Sequence, residues 1–449
     1  MGVTIENTVW EPNPQIYIII FSSCLLSILL QPYFSNNPRS PPSSSSSFDL
    51  SSPSSTNFLL TFSLASVIGG LGSAFGERAF YGSDTNNEEI VVSLCVGCFA
   101  ACVFGTLFGV LSDVIGQKKI CVLFCVLHIF VGVWRSVSVR PNAWIATISL
   151  ALASFIFTFS FETLMVKEHE KRGYRPNLLC DTFWLMEFYQ SASFIGSQMF
   201  ANFLVGGDAE KRIAYPSLAV ALLSVICLIC IVRGWNESPT LFSIKEYKVA
   251  FSACILHDRR VWLLMCTQSC LQFSISIFWI LWAPIIVADG RGVHLGMLFP
   301  CWMGAKMLGS TVVPWLLSGP SLPQIEDWLV GAFLISGLIF SIVAYDYQEV
   351  GVLVTLFFLY HASVGLISPS LARLRTMYVP NDLRGGMICL SVAPAYAALL
   401  LVLIQGGYRR TLGNSSAMAF AAFGLFMAAG CMHMLKKVGR QHRENARKL

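Results

Sequence analysis

The chain is short of charge. Only 12% of its 449 residues are Asp, Glu, Lys or Arg, about half the share of an ordinary soluble domain. Hydrophobic residues make up 55%, and the mean hydropathy is +0.64. That balance excludes a soluble enzyme, a nucleic-acid-binding protein and a disordered chain. Other absences narrow the field. There is no G-x-x-x-x-G-K-[ST] phosphate loop, so neither direct ATP use nor a cofactor is expected. The seven His residues are scattered, whereas a membrane-embedded enzyme needs them clustered with acids in one layer. The 15 Cys lie nearly all in apolar stretches, as Cys95, Cys98 and Cys102 do. There they serve as small apolar groups rather than as metal ligands or a disulfide framework. The first apolar run, 16–30, is preceded by Glu6 and Glu11 and lacks the basic flank of a secretory signal.

What remains is a series of apolar segments, each near the 20 or so residues that cross a hydrocarbon core. The run at 16–30 reads as an extra N-terminal anchor helix (residues 1–34), followed by a Ser/Pro-rich linker at 35–57. Hydropathy then predicts helices at about 58–76, 90–112, 120–139, 143–165, 181–204 and 213–233. A polar central loop, 234–260, leads to helices at about 261–288, 293–318, 326–345, 351–372, 386–406 and 413–435, with a basic tail from 436. The fold class is therefore an all-α membrane protein of two six-helix bundles, 58–233 and 261–435, plus the extra helix. The lipid bilayer is its environment, in the plasma membrane or an endomembrane; a monomer suffices, and no nucleic-acid partner is expected.

The few charges orient it. With the start of the 58–76 helix on the cytoplasmic side, the outer loops hold Arg78, Arg140, Lys211, Arg212, Arg291, Arg409 and Arg410. The inner loops and tail hold about three times as many, Lys118, Lys119, Lys167, Arg373, Arg375 and Arg384 among them, as the positive-inside rule requires. Asn414-Ser415-Ser416 then lies outside as an N-glycosylation sequon.

Between the second and third core helices stands Gly109-Val110-Leu111-Ser112-Asp113-Val114-Ile115-Gly116-Gln117-Lys118-Lys119. Gly109 suits close packing of a helix end, and Gly116 a tight reversal. Asp113 suits a cation or a helix N-terminus, and Lys118 and Lys119 suit the anionic inner leaflet. This loop resembles the signature loop of the major facilitator superfamily, with Gln117 where that family usually has Arg. The resemblance implies that Asp113 and Lys118 belong to a latch between the bundles rather than to a substrate site. The second-half counterpart, Leu317-Ser318-Gly319-Pro320-Ser321-Leu322-Pro323, has no charges.

Three further stretches narrow the resemblance. They are Phe161-Glu162 with Glu168-His169-Glu170-Lys171-Arg172; His257-Asp258-Arg259-Arg260 with Gln268 and Leu281-Trp282-Ala283-Pro284; and Gly365-Leu366-Ile367-Ser368-Pro369-Ser370 with Arg373. In order and spacing they are similar to the eukaryotic molybdate-anion transporter family. That resemblance implies a secondary transporter of molybdate or a related small oxyanion, working by alternating access. The chain departs from the family at Gln272 and His361, where acids are usual, and at Val392, where Arg is usual. It adds Lys306 near the middle of the eighth core helix and Glu187 one to two turns into the fifth.

Ionisable groups at mid-membrane are costly and face a cavity or a partner. For Lys306 two readings stand: an oxyanion ligand, or an ion pair with Glu187. Glu162 reads first as a salt bridge or gate with nearby Lys167, and second as a substrate contact. Gln268 and Gln272 share one helix face and suit either a polar solute or interhelical hydrogen bonds. His361 is either a titrating cavity group or a hydrogen-bonded helix histidine. The alternatives to oxyanion transport are a different solute, or a sensor or scaffold on a transporter fold.

Overall fold

The computed structural model describes residues 10–35, 53–81, 87–137, 143–171, 173, 176–204, 214–235, 244–288, 291–318, 325–345, 349–408 and 412–448. Most of the linker, the outer-loop residues Arg140, Lys211, Arg212, Arg409 and Arg410, and most of the second-half counterpart loop lie outside them. The side chains of the basic tail beyond Gly439 are likewise outside the description.

The architecture follows from apolar runs that must hydrogen-bond internally in lipid, which only helices achieve segment by segment. After α1 (Pro14–Ser35) and α2 (Pro53–Tyr81), one span is built from α3 (Asn87–Ala100), a π-helical turn at Ala101–Gly105 and α4 (Thr106–Ile115). Then come α5 (Gln117–Val137), α6 (Ala143–Lys171), α7 (Pro176–Leu204) and α8 (Ala214–Gly234). Short α9 (Ile244–His257) precedes α10 (Arg259–Ile286), α11 (Leu295–Ser318), α12 (Ile325–Tyr345), α13 (Val350–Tyr378), α14 (Arg384–Leu403) and α15 (Asn414–Lys448). The protein is a multi-pass membrane protein. Among the described residues, nine helical spans are both long and apolar enough to cross a membrane, and α1 and α2 contribute shorter apolar stretches, Pro14–Leu30 and Asn57–Gly72. Neither α7 nor α11 is among the nine. These two carry Glu187 and Lys306, and they pack against each other.

Each bundle has its own aromatic core. Phe62, Phe124, Phe155, Phe159 and Phe161 fill the first, while Phe278, Trp302, Phe333, Phe340, Phe357 and Tyr360 fill the second. The bundles meet along two seams, α7 against α11 and α13, and α3–α4 against α14. Anchor helix α1 packs on α11, with Ile20 seated at Gly304, where a Cβ would lie 2.9 Å from its methyl carbon. The Trp315 indole N–H donates to Ser27 Oγ at 3.1 Å. Upstream, Trp10 N–H donates to Gly292 O at 2.8 Å, tying the start of this segment to the loop before α11.

Two sequence expectations change here. The central stretch is not simply a loop, because α9 forms within it. Its buried Tyr247, with Ala250 and Phe251, packs against Val114 of α4 and Val379, Leu383 and Met387 near the start of α14. The tail from 436 continues α15 as a helix, and Lys436 pairs with Asp327 at the start of α12.

Candidate functional site

The polar side chains inside this apolar scaffold gather in layers running from the basic end toward the middle of the bundles. The outermost layer is built on Asp113. Gly116 takes φ +119°, a value that L side chains rarely adopt, and its N–H caps Ser112 O at the end of α4. Gly109 lets α4 approach α14 so closely that a Cβ would lie 2.3 Å from Cys389 Sγ. Asp113 thereby reaches the N-terminus of α14. Its carboxylate accepts from Gly385 N–H at 3.1 Å and Gly386 N–H at 2.7 Å, the pole at which a helix favours an anion. Tyr247 O–H at 3.1 Å and Gln117 Nε2 at 3.0 Å complete its partners. Burial first, and then the Asp113 carboxylate, push the Tyr247 phenol well above its ordinary value, so it remains a donor. These hydrogen bonds to Asp113 all come from neutral donors, and Gln117, at the position where the usual signature has Arg, supplies one of them.

Lys118 is placed elsewhere. Its ammonium donates to Val232 O at 2.9 Å and Trp235 O at 2.5 Å, satisfying carbonyls at the end of α8, where a cation is favoured. Of the two residues that the resemblance assigns to the latch, the structure brings Asp113 to the second bundle and keeps Lys118 within the first.

The next layer centres on Glu162 of α6. Lys167 is not its ion-pair partner. Arg375 of α13 donates Nε to Oε1 at 3.0 Å and Nη2 to Oε2 at 2.5 Å, a two-pronged grip. Arg384, the first residue of α14, donates Nη2 to Oε1 at 2.6 Å and to Ala372 O at 3.1 Å. Arg375 also donates Nη1 to Gln268 Oε1 at 2.7 Å. Arg384 is fully buried, its guanidinium 5.7 Å from the Phe183 ring centroid. At the rim, Asn381 Nδ2 donates to Glu170 Oε2 at 2.9 Å. The basic ends of the two bundles are therefore tied together by hydrogen bonds in two successive layers.

Arg375, Arg384 and Tyr247 were not candidates from the sequence. The two Arg read there as inner-loop charges that orient the chain. One signal was present: a cation on the first residue of a helix opposes the helix dipole and calls for an acid nearby.

Deeper still, Lys306 pairs with Glu187 across the α7–α11 seam, both side chains about one-seventh exposed. Of the two readings for Lys306, the ion pair is the arrangement seen. His361 sits on α13 beside it, its Nδ1 3.0 Å from Phe357 O and its ring 4.4 Å from that of Phe278 and 6.0 Å from that of Trp302. It is a buried, aromatic-enclosed helix histidine. Gln272, one turn beyond Gln268 on α10, is half-buried and has no hydrogen-bond partner among the described residues. Asn414 begins α15 and is exposed at the end opposite the latch. A groove of about 340 Å³ between α3 and α14 is lined by Val91, Val92, Cys95, Val96, Phe99, Leu400 and Ile404. With no polar wall, it does not suit a small anion.

Comparison with known proteins accords with this arrangement. The family MFS_5, described as sugar transporters with 12 transmembrane helices, matches residues 44–354. A molybdate-anion transporter of Danio rerio is 24% identical over 386 residues, covering 78% of this chain and 78% of the relative. One from Xenopus laevis is 26% identical over 235 residues, covering 50% of each. Among solved structures, the proton:xylose symporter XylE superposes with a TM-score of 0.64 at 11% identity, covering 85% of this chain and 94% of that one. The human organic anion transporter MFSD10 gives 0.60 at 13% identity, covering 94% and 100%. With the family match spanning more than half the residues and the fold agreeing, this chain belongs to the 12-helix transporters of the major facilitator superfamily.

Proposed function

We propose that the protein carries a small oxyanion, molybdate first among the candidates, across the membrane by alternating access between its two bundles. The observation that carries this reading is the paired layer at the basic end. Glu162 is held by two arginines of the opposite bundle, and Asp113 by the start of α14. Such contacts can be made only when that end is closed, and they must break for a solute to pass. They are therefore gate contacts. A sensor or scaffold with no opening to perform has no need of charges buried at such cost.

The choice of solute rests on the molybdate-anion relatives and on the chemistry within the bundles. The Lys306–Glu187 pair is neutral, so the mid-membrane lysine alone does not supply a positive cavity. The paired layer has two guanidiniums to one carboxylate, which favours an anion over a cation or a sugar. Its Arg375 connects to Gln268 on α10, and Gln272 continues that face inward with an amide free to meet a solute.

The test is uptake of radiolabelled molybdate into cells lacking their own carrier. Saturable uptake above the empty-vector level, reduced by excess unlabelled molybdate, is expected. Protein present in the membrane but giving no uptake of molybdate, tungstate or sulfate would overturn the reading.

A further inference from the structure

The paired layer is not electrically balanced. Arg375 and Arg384 share one carboxylate, Glu162, and the neighbouring acids are committed elsewhere. Asp113 is held by the α14 amides, Tyr247 and Gln117. Asp181 of α7 lies in the field of Arg373, and Glu170 meets Asn381 at the exposed rim. Within this layer two guanidiniums thus meet one carboxylate, with Arg384 fully buried, and the charge of Asp113, met by neutral donors, bonds neither arginine. Arg384 itself has a donor to spare. Nη1 of Arg384 is buried and has no hydrogen-bond partner, although Nε and Nη2 of the same guanidinium are occupied. A buried donor on a charged group that goes unpaired is strongly unfavourable, so its persistence calls for a ligand that this closed arrangement does not supply.

We propose that Arg384 and Arg375 form a binding site for a free tetrahedral oxyanion at the inner gate, and that the anion takes the place of Glu162 there. The guanidinium fork suits two oxygens of one anion, and the Gln268 amide can turn its N–H toward a third. A dianion on the two arginines neutralises both, releases Glu162 to the first bundle and removes the attraction that holds the basic ends together. Binding and opening then become one event, because the solute competes for the charges that close the path. This site rests on the oxyanion reading above and deepens it, adding that the solute binds both arginines directly and displaces Glu162 from them.

The test is molybdate binding by calorimetry to the full chain in phosphatidylcholine nanodiscs, with thermal unfolding used to check that each variant folds. Arg384→Gln leaves a balanced Arg375–Glu162 pair and is expected to weaken molybdate binding at least tenfold. Glu162→Gln removes the competitor and is expected to tighten it several-fold, while Arg384→Lys keeps the charge and should lose less than Arg384→Gln. The opposite signs of the first two variants set a ligand site apart from a structural ion pair, which both would damage alike. Arg384→Gln binding molybdate as the parent does, or Glu162→Gln weakening it, overturns the proposal even where the parent still takes up molybdate. A fall in affinity on adding phosphatidylserine that is larger in the parent than in Arg384→Gln, where surface repulsion of the anion is the same, assigns the arginines to a lipid phosphate and overturns it as well. No oxyanion binding by the parent, together with no uptake, removes the transport reading itself.

Discussion

At the scale of single residues, the decisive feature is where charge is placed in a chain with so little of it. Lys306 and Glu187 neutralise each other across the α7–α11 seam, and removing one partner strands the other in a mostly apolar setting. Lys306→Ala is expected to cost about 3–5 kcal/mol of stability. Lys306→Ala with Glu187→Ala should recover most of that loss, since no charge is then left unpaired. Unfolding of the purified protein in mixed micelles checks this, and a double variant no more stable than the single one would show that the pair is not what holds Lys306. The pairing was legible in the sequence as one of two readings, because both residues are ionisable groups inside apolar helices that neighbour each other in the resembled family. Glu162 was not legible in the same way. Its nearest cation along the chain is Lys167, whereas its actual partners lie 213 and 222 residues away. Local spacing carries no information about contacts made only when two bundles close.

At the scale of elements, the apolar runs gave the helices, and the signature loop gave its own geometry, down to the positive φ of Gly116. Helix α9 did not show, because a polar stretch holding Lys245, Glu246 and Lys248 reads as a loop. Its apolar residues are few, and they matter because they touch both bundles. Tyr247 contributes one hydrogen bond to a buried carboxylate, a contact of about 1.5–3 kcal/mol when the acceptor is charged. Tyr247→Phe is therefore expected to favour the open basic end by at least about tenfold in population. Cys389, 1% exposed beneath Gly109, reports on it. As the sole cysteine in an otherwise cysteine-free background, its alkylation by a membrane-permeant maleimide should quicken in Tyr247→Phe. An unchanged rate would remove α9 from the gate. Helix α1 packs chiefly on α11, in a cluster that also takes in Phe188 and Ala192 of α7 and Phe358 of α13, and it leaves the α4–α14 seam free.

At the scale of the whole molecule, two bundles with separate aromatic cores touch along seams that hold nearly all the interior charge. Rigid halves and a polar, breakable boundary are what rocking between two arrangements requires. The described arrangement is closed at the basic end, the end that the charge bias of the loops predicts to face the cytoplasm. The central claim is that an oxyanion opens it. Spin labels at Lys119 on the first turn of α5 and Met377 on the last turn of α13, both exposed at that end and on opposite bundles, measure the opening directly. The account predicts a single short distance without anion, and a second, longer population that grows with added molybdate and is absent with chloride. One distance distribution, unchanged by molybdate in protein that transports it, would contradict the account.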